Sequence, residues 1–282
     1  MSNKIKQYWD YFIHRVLRIP ITMAVRYDFS RSLKPELTII FLHGIAASFT
    51  GWRPTVKELA ADKELSKVRF IGLDLIGFGK SERPSFFKYD YESYRKALKH
   101  TIKKLKIKTP IILAGHSMGC LIAVDFAEHT DYEIAELVLV SPPFMRQNES
   151  ANIFDRLHNR AFKDIRNNTD APIIEAIAKF VDAVSSFEKY QLNTPAFRYS
   201  MDRIILNPEN WRRAVEIKKD CEVIHGRVDP LVIGSNLRAI EKRNPHFHLQ
   251  ETFGGHDIVG LKQKRVIQKI KAVALKHLLA AK

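Results

Sequence analysis

The sequence predicts an α/β protein whose central sheet is mostly parallel and is covered by helices on both faces. Short apolar runs alternate with helical stretches along the 282-residue chain, which is the pattern of strand–helix–strand units. Several runs, among them IIFL, IILA and LVLV, are apolar without interruption, as expected of strands that are buried on both faces. One long stretch carries helical patterns only, which predicts a helical insertion late in the sheet.

The strands and helices are assigned from length, composition and period. Seven runs are predicted as strands: 22–29, 38–42, 68–73, 110–114, 136–140, 222–225 and 246–251. Five stretches are predicted as helices: 54–61, 91–105, 118–129, 234–243 and 262–279. In the last of these, apolar residues alternate with lysines at a helical period, which is typical of an amphipathic surface helix.

The chain divides into three parts on this pattern. Residues 1–20 form a basic, partly apolar N-terminal segment, and residues 21–144 together with 221–282 form the α/β core. Residues 145–220 lack a convincing strand and are predicted to be a helical cap over one edge of the sheet. There is no internal repeat and no low-complexity linker between these parts.

Composition limits the classes of protein. The two cysteines, Cys120 and Cys221, are too few for a disulfide framework, and neither lies in a Cys-x-x-Cys pair. Both are expected to be buried thiols, which fits a reducing, cytoplasmic compartment. No stretch approaches the roughly 20 apolar residues that span a bilayer, and charged residues interrupt the N-terminal segment before it could form a signal-peptide core.

The formal net charge of +15 favours anionic partners through its long-range field. The lysines are spread along the chain, however, on the predicted outer faces of helices near residues 99–108 and 262–282. A generally basic, solvated surface accounts for them. A nucleic-acid partner is not expected, because the sequence contains no zinc spacing, RNA-binding aromatic signature or recognition-helix pattern.

The strongest chemical signal is the run Gly-His-Ser-Met-Gly at 115–119, which lies between the strand IILA and a predicted helix. A sharp strand-to-helix turn holds such a serine in a strained conformation and exposes its hydroxyl at a helix N-terminus. The alternative is an ordinary strand-to-helix turn of a nucleotide-binding protein. No phosphate-binding glycine pattern supports that alternative, so Ser117 is predicted to be a nucleophile.

Two further motifs follow strands. The loop HGIAAS at 43–48 follows the strand TIIFL, and it is expected to supply the backbone N–H of Ile45 to an oxyanion hole whose second donor is the N–H of Met118. His43 is interpreted as a side chain that holds this loop rather than as a base. Asp74, in the turn DLIGFGKS at 74–81, is assigned a structural role because it can accept hydrogen bonds from its own turn.

These three motifs, in this order and spacing, resemble the α/β-hydrolase superfamily over essentially the whole chain from about residue 22. In detail the chain is similar to small capped hydrolases of the lipase–esterase and C–C-bond hydrolase type. The resemblance implies a triad in the order serine, acid, histidine. The segment GRVDP at 226–230 makes Asp229 the acid, and FGGH at 253–256 makes His256 the base.

Other residues compete for these roles. Asp257 adjoins His256, but chain neighbours rarely place a carboxylate on the far nitrogen of an imidazole. Some relatives carry the acid after the strand that here reads LVLV, where this chain has SPPF at 141–144 and no carboxylate. Three histidines, at 225, 246 and 248, lie within or beside strand patterns and offer no catalytic loop.

The resemblance implies a serine hydrolase that cleaves a carboxylic ester of an apolar acyl or lipid-like substrate, with no metal and no organic cofactor. The alternatives with the same triad are hydrolysis of a C–C bond in a β-diketone-type substrate, thioester hydrolysis and perhydrolysis. A more distant alternative is a non-catalytic ligand sensor. Aromatic residues of the predicted cap either line an acyl pocket or pack the cap onto the core: Phe154, Phe180, Phe187, Tyr190, Phe197 and Tyr199.

The N-terminal segment combines aromatic residues with cations, including Trp9, Tyr11, Arg15 and Arg18. As a helix it could lay apolar groups on an anionic membrane while its cations meet head groups. The alternative is a helix that packs on the body of the protein itself.

Overall fold

The computed structural model describes residues 5, 8, 9, 11–146, 194–229, 231–256, 259 and 264–280. They contain a seven-stranded sheet in the order β1-β3-β2-β4-β5-β6-β7. The strands are β1 (Ala24–Ser30), β2 (Leu37–Leu42), β3 (Val68–Asp74), β4 (Ile111–His116), β5 (Ile134–Val140), β6 (Cys221–Gly226) and β7 (Phe247–Thr252). Only β1 is antiparallel to its neighbour, β3, and all the other pairs are parallel, so the predicted fold class is confirmed.

The α-helices of the described residues follow the predicted positions closely. They are α1 (Arg53–Ala61), α2 (Tyr91–Lys104), α3 (Met118–Glu128), α4 (Pro195–Ser200), α5 (Glu209–Glu216), α6 (Gly234–Glu241) and α7 (Lys264–Ala280). A π-helical turn, Met201–Ile205, continues α4, and another forms Phe12–Val16 in the N-terminal segment. No helix of the described residues is long and apolar enough to cross a membrane.

The two faces of the sheet bury different residues of the same strands. Ile39 and Phe41 of β2 lie in a core cluster with residues of α1 and α7. Ile40, between them, lies in a second cluster with residues of α2, α3 and α6. Since side chains alternate along a strand, helices therefore cover both faces, and the uninterrupted apolar runs have the burial that the sequence predicts.

Side chains determine where β1 begins. The sequence places this strand from residue 22, whereas the ladder starts at Ala24. The N–H of Met23 donates to Oγ1 of Thr101 at 2.8 Å, and that of Ala24 donates to Oγ of Ser81 at 2.8 Å. Side chains thus accept from these two N–H groups, which therefore do not donate to β3. The ladder is shorter than the apolar run for this reason.

Most of the predicted cap, 147–193, lies outside the described residues. Its C-terminal part is helical, and Ala196, Ile204 and Ala214 of that part join the same core cluster as α2 and α3. Arg213 of α5 forms an ion pair with the buried Asp125 of α3. Residues 194–220 are therefore packed into the body of the protein.

Both cysteines are buried and unbonded to each other, as predicted. Burial raises the pKa of the Cys120 thiol, which lies in the first turn of α3. Because a thiolate is the reactive form, this buried thiol is a packing residue.

Candidate active site

Ser117 occupies the turn between β4 and α3, and its backbone adopts φ +50° and ψ −119°. A residue other than glycine at positive φ costs about 1–3 kcal/mol, so the surrounding structure must hold it. The N–H of Ser117 donates to the carbonyl of Val140 at 2.9 Å, and the carbonyl of Ser117 accepts from the N–H of Cys120 at 2.9 Å. The strained serine is thereby fixed between β5 and the first turn of α3.

The glycines on either side of Ser117 are required by close backbone contacts. A Cβ at Gly115 would lie 2.6 Å from the backbone N of Cys120, and one at Gly119 would lie 2.4 Å from the carbonyl oxygen of Leu42. Real Cβ atoms do not approach backbone so closely. The motif therefore lets α3 pack directly against the chain that leaves β2, which begins the predicted oxyanion loop.

His43 holds this loop, as the sequence predicts. The N–H of Leu75 donates to its Nε2 at 2.9 Å, and its Nδ1 donates to the carbonyl of Gly44 at 2.6 Å. Both ring nitrogens are therefore occupied by backbone partners, and His43 has no lone pair left to act as a base.

The loop reaches the serine. A Cβ added to Gly44 would lie 3.1 Å from Cβ of Ser117, so the backbone of residues 44–46 passes directly beside the nucleophile. Neither the N–H of Ile45 nor that of Met118 donates a backbone hydrogen bond within the part of the chain that the structure describes. These two donors are available, as an oxyanion hole requires.

Asp74 connects the loops around the site. One carboxylate oxygen accepts from the N–H of Phe49 at 2.7 Å and the other from the N–H of Lys80 at 2.7 Å, and Arg26 lies 3.2 Å away. Its side chain is fully buried. Asp74 thus ties its own turn to the end of the oxyanion loop, in agreement with the structural role predicted for it.

Asp229 and His256 form a buried pair. Nδ1 of His256 donates to Oδ2 of Asp229 at 2.8 Å, and the two residues are 1% and 6% exposed. The other oxygen of Asp229 accepts from the N–H groups of Leu231 at 2.8 Å and Val232 at 3.2 Å. Burial alone would raise the pKa of Asp229, but the charge of the His256 imidazolium and the hydrogen bonds from His256 and Leu231 hold that pKa below its ordinary value.

The pair fixes the chemistry of the imidazole. Because Nδ1 carries the proton that is donated to Asp229, Nε2 is the nitrogen with a free lone pair. Nε2 is buried and has no hydrogen-bond partner among the described residues. This nitrogen is therefore the one that can accept a proton.

Two residues that the sequence reasoning did not single out place His256 beside the serine. Nε2 of His116 donates to the carbonyl of His256 at 3.0 Å, and Oγ of Ser141 donates to the same carbonyl at 3.1 Å. The rings of His116 and His256 have centroids 5.1 Å apart. His116 immediately precedes Ser117, so the loop of the histidine is attached to the turn of the nucleophile. The described hydrogen bonds do not include one from Oγ of Ser117 to Nε2 of His256, and such catalytic contacts often shorten only when substrate binds.

Two of the three competing histidines lie away from the Asp229–His256 pair, and the third, His225, lies near it. His246 pairs with Asp220 at 2.8 Å, and His248 is exposed on β7. His225 is buried in β6, and burial lowers its pKa. Asp257 lies outside the described residues.

Of the six cap aromatics, only two fall within the described residues. Phe197 is buried in the core cluster beside α2. Tyr199 is exposed and stacks on Tyr89 with ring centroids 6.3 Å apart. The other four lie outside the described residues: Phe154, Phe180, Phe187 and Tyr190.

Within the described residues there is no group of three or more His, Cys, Asp or Glu side chains that could hold a metal ion.

The family model described as the alpha/beta hydrolase fold matches residues 38–262. The chain belongs to the α/β-hydrolase family. It is 33% identical over 118 residues to Probable lysophospholipase BODYGUARD 5 of Arabidopsis thaliana, a match that covers 42% of this chain and 27% of that protein. This chain therefore matches about a quarter of the length of that relative.

Solved structures of α/β hydrolases superpose on nearly all of the chain. An esterase from Exiguobacterium antarcticum has a TM-score of 0.68 at 19% identity, with 89% of this chain and 95% of that chain covered. A thermophilic esterase from Thermogutta terrifontis has a TM-score of 0.66 at 19% identity, with 92% and 98% covered. At these identities the similarity establishes the fold alone.

Proposed function

We propose that this protein is a serine hydrolase that cleaves carboxylic esters through an acyl-enzyme, with Ser117 as nucleophile, His256 as base and Asp229 as the carboxylate that orients the base. The observation that carries the proposal is the buried Asp229–His256 pair at 2.8 Å, whose free nitrogen, Nε2, has no partner among the described residues. This pair is attached to the strained turn at Ser117 through His116.

Each group has a defined role in the two half-reactions. Oγ of Ser117 attacks the ester carbonyl while Nε2 of His256 takes its proton, and the negative oxygen that forms is stabilised by the N–H groups of Ile45 and Met118. His256 then returns the proton to the alcohol that leaves, which completes the acyl-enzyme. A water molecule, deprotonated by His256, attacks the acyl carbonyl and releases the acid and the serine.

Asp229 remains ionised throughout this cycle. Its pKa lies below the ordinary aspartate value because of the His256 charge and the hydrogen bonds from His256 and Leu231, which together outweigh its burial. An ionised Asp229 keeps the Nδ1 proton in place and stabilises the imidazolium. His43 does not take the role of the base, because both of its ring nitrogens are bonded to backbone groups.

The substrate is proposed to be an ester with an apolar acyl group or a lipid-like ester. The support is the similarity to relatives that are named lysophospholipases and the family to which the chain belongs. Thioester and C–C substrates use the same three residues, so substrate comparison has to decide among them. The absence of a cofactor and the cytoplasmic location stay predictions.

The test is labelling of the purified chain with a fluorophosphonate probe, together with turnover of p-nitrophenyl esters of increasing acyl length. Wild type is expected to be labelled and to turn over, and the acyl-length optimum measures the pocket. Ser117→Ala should abolish labelling and lower kcat by a factor that approaches ~10⁶, as in measured triad knockouts.

Ser200→Ala is a matched control, because Ser200 is also a buried serine, bonded to the Tyr94 hydroxyl at 2.9 Å in α4. It should be labelled as fast as wild type. Substantial ester turnover in a folded Ser117→Ala variant would refute the proposed mechanism. Parallel assays with matched thioesters and a β-diketone identify the preferred bond by kcat/KM.

A further inference from the structure

Exposed apolar side chains are concentrated in the N-terminal segment. Fourteen large apolar residues of the described chain are exposed, and seven of them lie between residues 5 and 19: Ile5, Tyr8, Trp9, Tyr11, Val16, Leu17 and Ile19. Their exposed fractions run from 46% for Trp9 to 68% for Tyr8. Single exposed apolar residues are ordinary, but a concentration of this kind marks an interaction surface.

The segment is attached to the body of the protein by its other side. The ring nitrogens of His14 lie 2.7 Å from the carbonyl oxygen of Ile19 and 3.0 Å from Oε2 of Glu82. The rings of Tyr11 and His14 contact Phe86, with centroids 6.4 and 6.0 Å apart. The segment therefore packs on the protein through His14 and Tyr11, while seven of its large apolar side chains, Tyr11 among them, remain 46–68% exposed.

Cations line the cleft where the segment meets the body of the protein. This cleft, of about 420 Å³, lies between the segment and α2. Apolar side chains of Ile19, Ile21 and Phe86 line it, and three cations also line it: Arg18, Lys88 and Lys96. Glu92 lines it as well and pairs with Lys96, so Arg18 and Lys88 supply its excess of positive charge. The surface thus combines apolar groups with a positive border, on a chain of formal net charge +15.

The surface lies at the same edge of the sheet as the candidate active site. Because β1 is antiparallel to β3, its first residue, Ala24, pairs with Asp74 at the carboxyl end of β3. The segment that precedes β1 therefore enters at the carboxyl edge, where Ser117 follows β4. Three strand spacings separate β1 from β4 in the sheet order, which is ~14 Å at about 4.8 Å a spacing.

We propose that the exposed apolar side chains described between residues 5 and 19, together with the adjoining cleft, form a surface that docks on an anionic phospholipid bilayer. Tyrosine and tryptophan partition into the interface between head groups and acyl chains, the aliphatic side chains enter below them, and the cations meet lipid phosphates. A second copy of this chain fits less well, because two positive borders would repel each other. Nucleic acid offers no partner for the aliphatic Ile5, Val16 and Leu17.

The test is sedimentation of the full chain with phosphatidylcholine vesicles that contain or lack phosphatidylglycerol. It is performed in the Ser117→Ala background, so that the outcome is independent of any hydrolysis. Binding to the anionic vesicles is expected, and it should weaken with salt because the attraction is screened. Fluorescence of Trp9 should shift to shorter wavelength on binding, and Trp9→Phe should remove that shift, since Trp52 is only 1% exposed and Trp211 lies outside the segment, packed against the core cluster.

Two sets of variants separate the contributions. Trp9→Ser with Leu17→Ser, and separately Arg18→Gln with Lys88→Gln, should each weaken binding about tenfold or more. The matched control is Leu33→Ser with Leu279→Ser, which removes two apolar side chains that are 101% and 66% exposed elsewhere on the surface. Equal loss in the control, equal binding to uncharged vesicles, or sedimentation as a dimer without lipid would each overturn the proposal.

Discussion

At the carboxyl edge of the sheet Ser117 and Ser141 adopt φ angles of +50° and +52°, whereas at the amino edge Glu136 and Glu222 are paired with cations of α7. Glu136 accepts from Lys276 at 2.7 Å and from His277 at 2.8 Å. Glu222 accepts from Lys269 at 2.6 Å. Each carboxylate lies near the start of its strand, so α7 neutralises the end of the sheet opposite the site.

At the carboxyl edge, by contrast, buried polar groups are left unpaired. Nε2 of His256 and Nδ1 of His225 are both buried without a partner among the described residues. The strained serines, Ser117 and Ser141, directly follow two neighbouring strands. Strain and unpaired polar groups cost stability. The comparison indicates that the amino edge contributes to stability, while the carboxyl edge keeps strained and unpaired groups, of which the proposed reaction would use Ser117 and His256.

The largest effect is expected from disturbing the carboxyl edge at Gly119. In Gly119→Ala the new Cβ would lie 2.4 Å from the carbonyl oxygen of Leu42 and 2.8 Å from that of His43, so the turn at Ser117 must move away from the oxyanion loop. A displacement of about 1 Å can cost ~100-fold in rate, and the strain should lower the free energy of unfolding by about 1–3 kcal/mol. Ester kcat/KM and thermal unfolding measure the two effects.

Gly234→Ala is the matched control for that variant. Its new Cβ would meet only side-chain atoms, Nε2 of His225 at 3.0 Å and Nη1 of Arg238 at 3.3 Å, and these can move. We expect a much smaller loss of activity. A Gly119→Ala variant with wild-type kcat/KM would contradict the close contact between the turn and the loop.

An intermediate effect is expected at the amino edge. Glu136→Gln removes a buried charge that Lys276 and His277 bond, and the free energy of unfolding should fall by about 2 kcal/mol. Ester kcat should not change, because the residue lies at the opposite edge from Ser117. Glu64→Gln is the control, since Glu64 is exposed and its pairing with Lys271 should be worth at most ~0.5 kcal/mol. A loss of kcat with unchanged stability would invert the roles assigned to the two edges.

The comparison of the two edges also shows which features can be predicted from the sequence. Strands and helices were predictable to within one or two residues at most ends, because apolar runs and helical periods are local signals. The motifs around Ser117 and His43 were equally local. The lysines of α7 were expected on the outer face of the helix, and the sequence does not show that Lys269, Lys271 and Lys276 pair with carboxylates 47, 207 and 140 residues away.

Contacts of that kind depend on the assembled sheet. The two bonds to the carbonyl of His256 join residues 140 and 115 positions apart. Nothing in a single sequence marks His116, the second residue of the Gly-x-Ser-x-Gly motif, as a residue that binds the histidine loop. The exposed apolar surface between residues 5 and 19 could not be predicted either. Composition shows aromatic and cationic residues there, but not which of them contact the body of the protein.

The smallest effect expected is a dependence of stability on pH that originates at the carboxyl edge. Burial disfavours the imidazolium of His225 and lowers its pKa, although Asp229 and Glu251 oppose this. In the unfolded chain a histidine has a pKa of about 6.5, so below that pH the unfolded state binds more protons than the folded state. The contribution of His225 to stability is therefore fully present above about pH 6.5 and is lost as the pH falls through the folded pKa.

The pKa of Asp229 is also lowered, and its contribution to the free energy of unfolding is lost only below the ordinary aspartate pKa of about 3.9. His225 and Asp229 therefore act in separate pH ranges. His225→Gln should flatten the fall in the free energy of unfolding between pH 6.5 and 5, measured by urea titration. His248→Gln, at an exposed position of the neighbouring strand β7, should leave the slope unchanged. If His225→Gln keeps the full slope, the acid sensitivity does not originate at His225, and the link between this strained edge and the fall of stability with pH would not hold.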